Sequence, residues 1–150
     1  TEVQRLAEIF TRAGVPCRIS ENLEGDLWVK LIMNCAGNAI SALARTTYGR
    51  IVAHEPAMQV VKNVIGEAVA VARAAGIALP PADLTAAGLK LLAGDLKNAT
   101  SSTAQDIAAG RRTEIASLNG YIAARGAALG IPTPVNYTLF ALVKLLEENP

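Results

Sequence analysis

A mainly α-helical domain is predicted, and three features of the sequence predict it. Apolar residues recur at three- and four-residue spacing along most of the chain, which is the helical period. Alanine is abundant while aromatic residues make up only 4%, a composition that favours closely packed helices over a sheet sandwich. The periodic stretches are joined at prolines and glycines, the residues that stop helices. With 51% hydrophobic residues over 150 positions, the chain can bury a core as a single domain.

Thr1-Glu2-Val3-Gln4 has the form of a capping box. Val3, Leu6, Phe10 and Ala13 follow at helical spacing, and Gly14 is a natural stop. Val15 to Ser20 reads as a short extended segment. One helix and one strand cannot make a sheet unaided. Residues 1–20 are therefore expected to be the tail end of an upstream α/β unit, or to pair with another chain. The helical domain proper is expected over 21–150.

Asp26 to Leu43 is the next helix, and a polar turn at Arg45-Thr46-Thr47-Tyr48-Gly49 follows it. Pro56 suits the first turn of a helix whose apolar face runs through Val60, Val61, Val64, Ile65, Ala68, Val71 and Ala72. Leu79-Pro80-Pro81 stops the chain, Asp83 can cap the next segment, and Leu84, Gly88, Leu91 and Leu92 carry that segment to about Lys97. Small polar residues from Asn98 to Thr103 mark another helix start. That stretch is broken near Gly110 and ends at Gly130. Pro132 and Pro134 then lead into a last helix striped by Leu139, Leu142, Val143 and Leu146.

Fourteen basic and thirteen acidic residues leave a formal charge of +1 with no basic face, so nucleic acid is not an expected partner. Charges interrupt the apolar runs before the roughly 20 residues of a membrane span, and no signal-peptide pattern is present. Two cysteines, Cys17 and Cys35, make neither a disulfide framework nor a metal motif, and each is expected to be a small buried hydrophobe. The lone histidine, His54, is expected at the surface. A reduced, cytoplasmic setting follows as the default.

Within Asp26 to Leu43, Lys30, Asn34 and Asn38 are four residues apart and form one stripe, with Ser41 near its end. The rest of the helix is apolar, which is the mark of a buried helix. Two readings are open: the stripe faces water, or it lines a polar cleft. Asparagine is a poor helix former that offers little to an exposed face, and this favours the cleft.

Residues 101–120 are the second polar constellation. Ser101 and Ser102 stand at a helix start, where unpaired N–H groups attract anions, and one of the two is expected to be the N-cap. Asp106, Arg111 and Arg112 read equally as a solvated cluster or a structural ion pair. Glu114 could simply be a carboxylate favoured by a helix dipole. Together with the stripe, these residues supply a cation, amide donors, a hydroxyl and a carboxylate. That set suits binding a small anionic carbonyl compound and moving a proton. No G-x-G-x-x-G nucleotide loop and no metal-ligand set accompany it.

The series Trp28-x-Lys30-x-x-x-Asn34-x-x-x-Asn38, then Ser101-Ser102-x-x-Gln105-Asp106, Thr113-Glu114-Ile115 and Asn119-Gly120 resembles the C-terminal domain of the ketopantoate reductase (2-dehydropantoate 2-reductase) family. The closing Gly130-Ile131-Pro132-x-Pro134-x-Asn136 agrees with it. The resemblance spans roughly Glu21 to Leu146. It implies a compact multi-helix domain of the 6-phosphogluconate dehydrogenase C-terminal-like type, with residues 1–20 as a helix–strand remnant of a Rossmann-type domain that binds NADPH. It implies reduction of a 2-oxo acid, ketopantoate, to pantoate in pantothenate biosynthesis, by a whole enzyme in which this chain alone is inactive. By position it makes Lys30 the general acid at the ketone oxygen and Glu114 a catalytic and substrate-binding carboxylate. Asn34, Asn38 and Ser102 become substrate-binding residues, and a homodimer is a possible assembly.

Three positions depart from the family pattern. Tyr48 stands where many relatives have asparagine, Thr103 follows the two serines in place of methionine, and Ala116 replaces a frequent acidic residue. These leave the reaction type intact and bear on the substrate. The alternatives are a reductase of another 2-oxo acid, or a stand-alone helical dimerisation or ligand-binding module.

Overall fold

The computed structural model describes residues 1–148, so the last two positions of the expected 21–150 domain lie outside the described residues. Among those residues the chain forms helices and no strand: α1 (Glu2–Arg12), α2 (Leu23–Ala44), α3 (Tyr48–Ala53), α4 (Glu55–Ala74), α5 (Leu84–Ala93), α6 (Ser102–Ala108), a 3₁₀ turn at Ile115–Ser117, α7 (Asn119–Leu129) and α8 (Pro134–Glu148). The predicted mainly helical class is what the chain adopts.

α2 is the centre of the bundle, and α3, α4, α5, α6 and α8 all pack on it. Its Ile32, Cys35, Ala36 and Ala39 share one buried cluster with α4, where Val61, Val64, Ile65, Ala68, Val71 and Ala72 are all fully buried. Small residues on α2 let its neighbours approach closely. A Cβ at Gly37 would lie 2.7 Å from Cε1 of the Tyr48 ring. Contrary to the expectation that charges interrupt every apolar run too early, α2 is by length and composition alone long and apolar enough to cross a membrane. Its apolar side, however, is the core of this domain, and its other side carries Lys30, Asn34 and Asn38.

The helix ends follow local chemistry. Thr1 and Gln4 form the predicted capping box. The Asn22 side chain accepts from Gly25 N at 3.1 Å to start α2, and the Asp83 carboxylate accepts from Thr85 N and Ala86 N to start α5. α2 ends on Arg45 in the left-handed region (φ 48°), with Thr46 N donating to Ser41 O at 3.2 Å. The break predicted near Gly110 is real: its φ is +64°, and α6 has already ended.

Four further expectations need correction. Val15 to Ser20 forms no strand, because no second strand is available to complete a ladder. The polar turn predicted at 45–49 gives way at Tyr48 to α3, a six-residue helix too short to show a period. α5 stops at Ala93, four residues before the expected Lys97. Cys17 is exposed in the irregular segment after α1, whereas Cys35 is buried as expected. Burial pushes the Cys35 thiol up to about 12, so it is held as an inert packing group.

α1 differs from every other helix in burying nothing. Val3, Leu6, Ile9 and Phe10 are each about half exposed, between 49% and 58%. An amphipathic helix with its apolar side in water is a surface made to be covered.

Candidate active site

The predicted stripe lies on α2 and runs from surface to interior. Lys30 is exposed, Asn34 is half-buried and Asn38 is only 6% exposed. The ammonium end therefore meets solvent and the amide end enters the fold.

Asn38 is the anchor for α6. The Ser101 hydroxyl donates to Asn38 O at 2.9 Å, and Ser101 N donates to Ser41 Oγ at 3.1 Å. The same Ser101 oxygen accepts from Ala104 N at 2.9 Å, so Ser101 is the N-cap of α6. Ser102, the next residue, is left exposed at the first helical position. The alternative between the two serines is thus resolved: Ser101 is the cap and Ser102 is not.

Glu114 is exposed on the segment between α6 and α7. What fixes that segment is Glu147 of α8. One Glu147 oxygen accepts from Thr113 N at 2.8 Å and from Thr113 Oγ1 at 2.6 Å, and Lys144 binds the other. On the far side, Ile115 is fully buried and its N–H donates to Thr113 Oγ1 at 3.2 Å. Glu114 is therefore held between two anchored neighbours. Asp106 and Arg111 form an ion pair at 2.7 Å, and Arg112 is exposed.

The Glu147 side chain is only 7% exposed. Desolvation raises its pKa, but hydrogen bonds from Lys144 and Thr113 and the Lys144 charge outweigh that and bring it to about 2. A carboxylate whose pKa is depressed on folding adds stability above its ordinary value of 4.5, and that stability is lost as pH falls toward about 2. Acid titration of stability is expected to show this loss in the wild type. In Glu147→Gln that part of the slope should be absent; an identical slope in the variant would remove Glu147 from the account.

A second buried network ties the site helices together. Asn119, at the start of α7, donates to Cys35 O at 3.3 Å and to Asn136 Oδ1 at 3.0 Å. Asn136 Nδ2 donates to Val64 O at 3.2 Å and to Glu67 Oε2 at 2.7 Å. The Glu67 carboxylate also accepts from Val135 N and Asn136 N, both at 2.9 Å, and so caps α8 from α4. The sequence pattern includes Asn119 and Asn136 without indicating a role for either. A polar residue inside the apolar period of α8 was the available signal.

Tyr48 also reaches the stripe. Its hydroxyl donates to Asn38 Oδ1 at 2.9 Å, and the ring lies against α2 at Gly37. Burial pushes the phenol up, against an opposing hydrogen bond with Ser101. The hydroxyl therefore keeps its proton at neutral pH and can donate.

Ser101 ties the start of α6 to α2 at Asn38, and Ser102 is the residue that follows it. Glu114 is set through the 3₁₀ turn and Asn119, which bonds the α2 backbone at Cys35. Among the described residues, the side chains of Lys30, Asn34, Ser102 and Glu114 make no hydrogen bond or ion pair with one another. A separate groove of about 470 Å³, lined by Arg45, Gln105, Ile107 and Leu146 among others, includes none of these four.

Fold and site together define a class: a helical domain built on one long helix that carries a lysine and two asparagines in line. Comparison with known proteins makes the class specific. A family model described as the ketopantoate reductase PanE/ApbA C terminal matches residues 22–147, and the chain belongs to that family. It is 39% identical over 146 residues to a 2-dehydropantoate 2-reductase of Pyrobaculum aerophilum, covering 97% of this chain and 52% of that protein. With a 2-dehydropantoate 2-reductase of Caulobacter vibrioides it shares 38% identity over 143 residues, covering 93% and 47%. The crystal structure of a PanE/ApbA family ketopantoate reductase from Ralstonia eutropha JMP134 superposes with a TM-score of 0.90 at 49% identity, covering 97% of this chain and 48% of that one. The chain thus spans about half the length of the curated relatives it matches.

Proposed function

We propose that this chain is the substrate-binding and catalytic half of an NADPH-dependent 2-dehydropantoate 2-reductase that reduces ketopantoate to pantoate in pantothenate biosynthesis. The observation that carries the reading is the α2 stripe: a lysine and two amides in line, with the serine-bearing start of α6 fastened to the same helix at Asn38. The family match supports reading the stripe as acting on an oxo acid. The exposed apolar side of α1 supports a partner: a Rossmann-type domain lying over that face would cover Val3, Leu6, Ile9 and Phe10. A cytoplasmic homodimer belongs to the same proposal.

The donors of this chain do not fit a dinucleotide, since it lacks a glycine-rich turn leading into a helix to cradle a pyrophosphate. NADPH is assigned to the partner domain, and the residues of this chain act on the oxo acid. Reduction of a ketone builds negative charge on its oxygen. Lys30 is the group that gives that oxygen a proton. Asn34 and Asn38 donate hydrogen bonds to acceptors of the substrate, and Ser102, at the N-terminal turn of α6, takes the carboxylate. Glu114, held by its neighbours Thr113 and Ile115, orients the ammonium by charge.

The test is steady-state kinetics of the full-length protein with NADPH over a panel of 2-oxo acids. Ketopantoate is expected to give the highest kcat/KM. A clear preference for another 2-oxo acid would move the substrate assignment, and failure to reduce any member would remove the functional reading.

A further inference from the structure

Asn38 is assigned to the substrate, yet half of its amide is already engaged. Its Oδ1 accepts from Tyr48 Oη at 2.9 Å. Its Nδ2 has no hydrogen-bond partner among the described residues and is not among the fully enclosed polar atoms. The donor end is therefore the open end. A 2-oxo acid offers only acceptors at its carboxylate and ketone. An amide that met it oxygen-first would repel it, and a free amide can turn either way.

Tyr48 removes that freedom. Its ring is placed by the missing side chain at Gly37, where a Cβ would stand 2.7 Å from Cε1 and 2.9 Å from Cδ1. Its backbone is placed by α3, whose first N–H groups donate to the loop ahead of α6: Tyr48 N to Ala99 O at 3.0 Å and Gly49 N to Lys97 O at 2.9 Å. Ring, hydroxyl and amide thus form a fixed unit that ends on the same helix as Lys30.

We infer that Tyr48 is a positioning residue: it holds the Asn38 amide oxygen so that the amide nitrogen is presented to the acceptor oxygens of the 2-oxo acid. The inference rests on the proposed function, because it assigns how one substrate-binding group is oriented. Asn38 and Tyr48 act as a pair, and the hydroxyl matters through affinity for the oxo acid rather than through proton transfer.

The experiment compares full-length wild type with Tyr48→Phe, which keeps the ring and deletes the hydroxyl. KM for ketopantoate is expected to rise about tenfold, equivalent to about 1.4 kcal/mol, with kcat within about threefold and KM for NADPH unchanged. A purely structural hydroxyl would lower thermal stability without that split. A folded, active Tyr48→Phe enzyme with an unaltered oxo-acid KM would overturn the inference while leaving the function standing. A wild type that reduces no 2-oxo acid would overturn both. If Tyr48→Phe does not fold, Gly37→Ala tests the same contact by pushing the ring away from Asn38. A raised KM there supports the pair, and an unaltered one rejects it.

Discussion

Lys30→Ala in the full-length protein is expected to lower kcat for 2-oxo-acid reduction by about 10²–10⁴-fold, the range for loss of a positioned general acid. The KM of the oxo acid should change far less. The reason lies in what α2 offers. Asn34 and Asn38 can still donate hydrogen bonds to a bound oxo acid in the variant, so ground-state binding survives. Neither amide can release a proton to an oxygen that is becoming an alkoxide. Lys30 is the cation of the stripe, and its exposed position on this domain leaves it open to a substrate lying between this chain and a nucleotide-binding partner. Steady-state kinetics separates the two effects. Unchanged turnover would make Lys30 a solvated surface lysine and would end its assignment as the acid.

Asn136→Ala is expected to have the largest effect on stability, about 3 kcal/mol, from the unpaired groups and the cavity it would leave. Asn136 is fully buried, and its network joins α8 to three other helices. It accepts from Asn119 of α7 and donates to Val64 O and Glu67 of α4, while Asn119 reaches α2 through Cys35 O. Alanine would leave Val64 O and the Asn119 amide each short of a partner, and the Glu67 carboxylate short of one donor. Each unsatisfied buried group costs roughly 1–3 kcal/mol, with a small cavity added. Part of the loss is offset because Glu67 still accepts from the backbone N–H groups of 135 and 136. Asn119 Oδ1 already lacks a partner among the described residues, so the network has little slack to absorb the change. Denaturant unfolding measures the difference. A loss below about 1 kcal/mol, less than one unsatisfied buried group costs, would mean that apolar packing alone holds α7 and α8 to the core.

Much of the fold was legible in the sequence because it is local. The faces of α2, α4 and α8 repeat every three or four residues. Thr1, Asp83 and Ser101 declare their caps by residue type and place, and Gly14, Gly76, Gly110 and Gly130 occupy the positive φ that their helix ends need. Local patterns also single out a stripe on one helix, a serine pair at a helix start and a carboxylate before an apolar turn, while the role proposed for each of the five residues follows from the family resemblance.

What the sequence hid is long-range. Glu147 reaches Thr113 across 34 positions, and Asn136 reaches Glu67 across 69. No periodicity marks such pairs, since each partner looks like an ordinary polar residue in its own helix. Tyr48 stands out as a departure from the family pattern, but its partner is set by α3, which the sequence does not announce. Cys17 departs from the expectation because cysteine is usually buried, whereas the segment that carries it is exposed through Ile19.

Whether the α2 stripe binds the 2-oxo acid is decided by a crystal structure of the full-length protein with pantoate and NADP. Lys30 Nζ is expected within about 2.6–3.2 Å of the hydroxyl oxygen of pantoate. The Asn34 and Asn38 amides should donate to the same molecule, and Ser102 should meet its carboxylate. Pantoate bound away from α2, or on α2 with Lys30 turned to solvent, would contradict this assignment of the stripe.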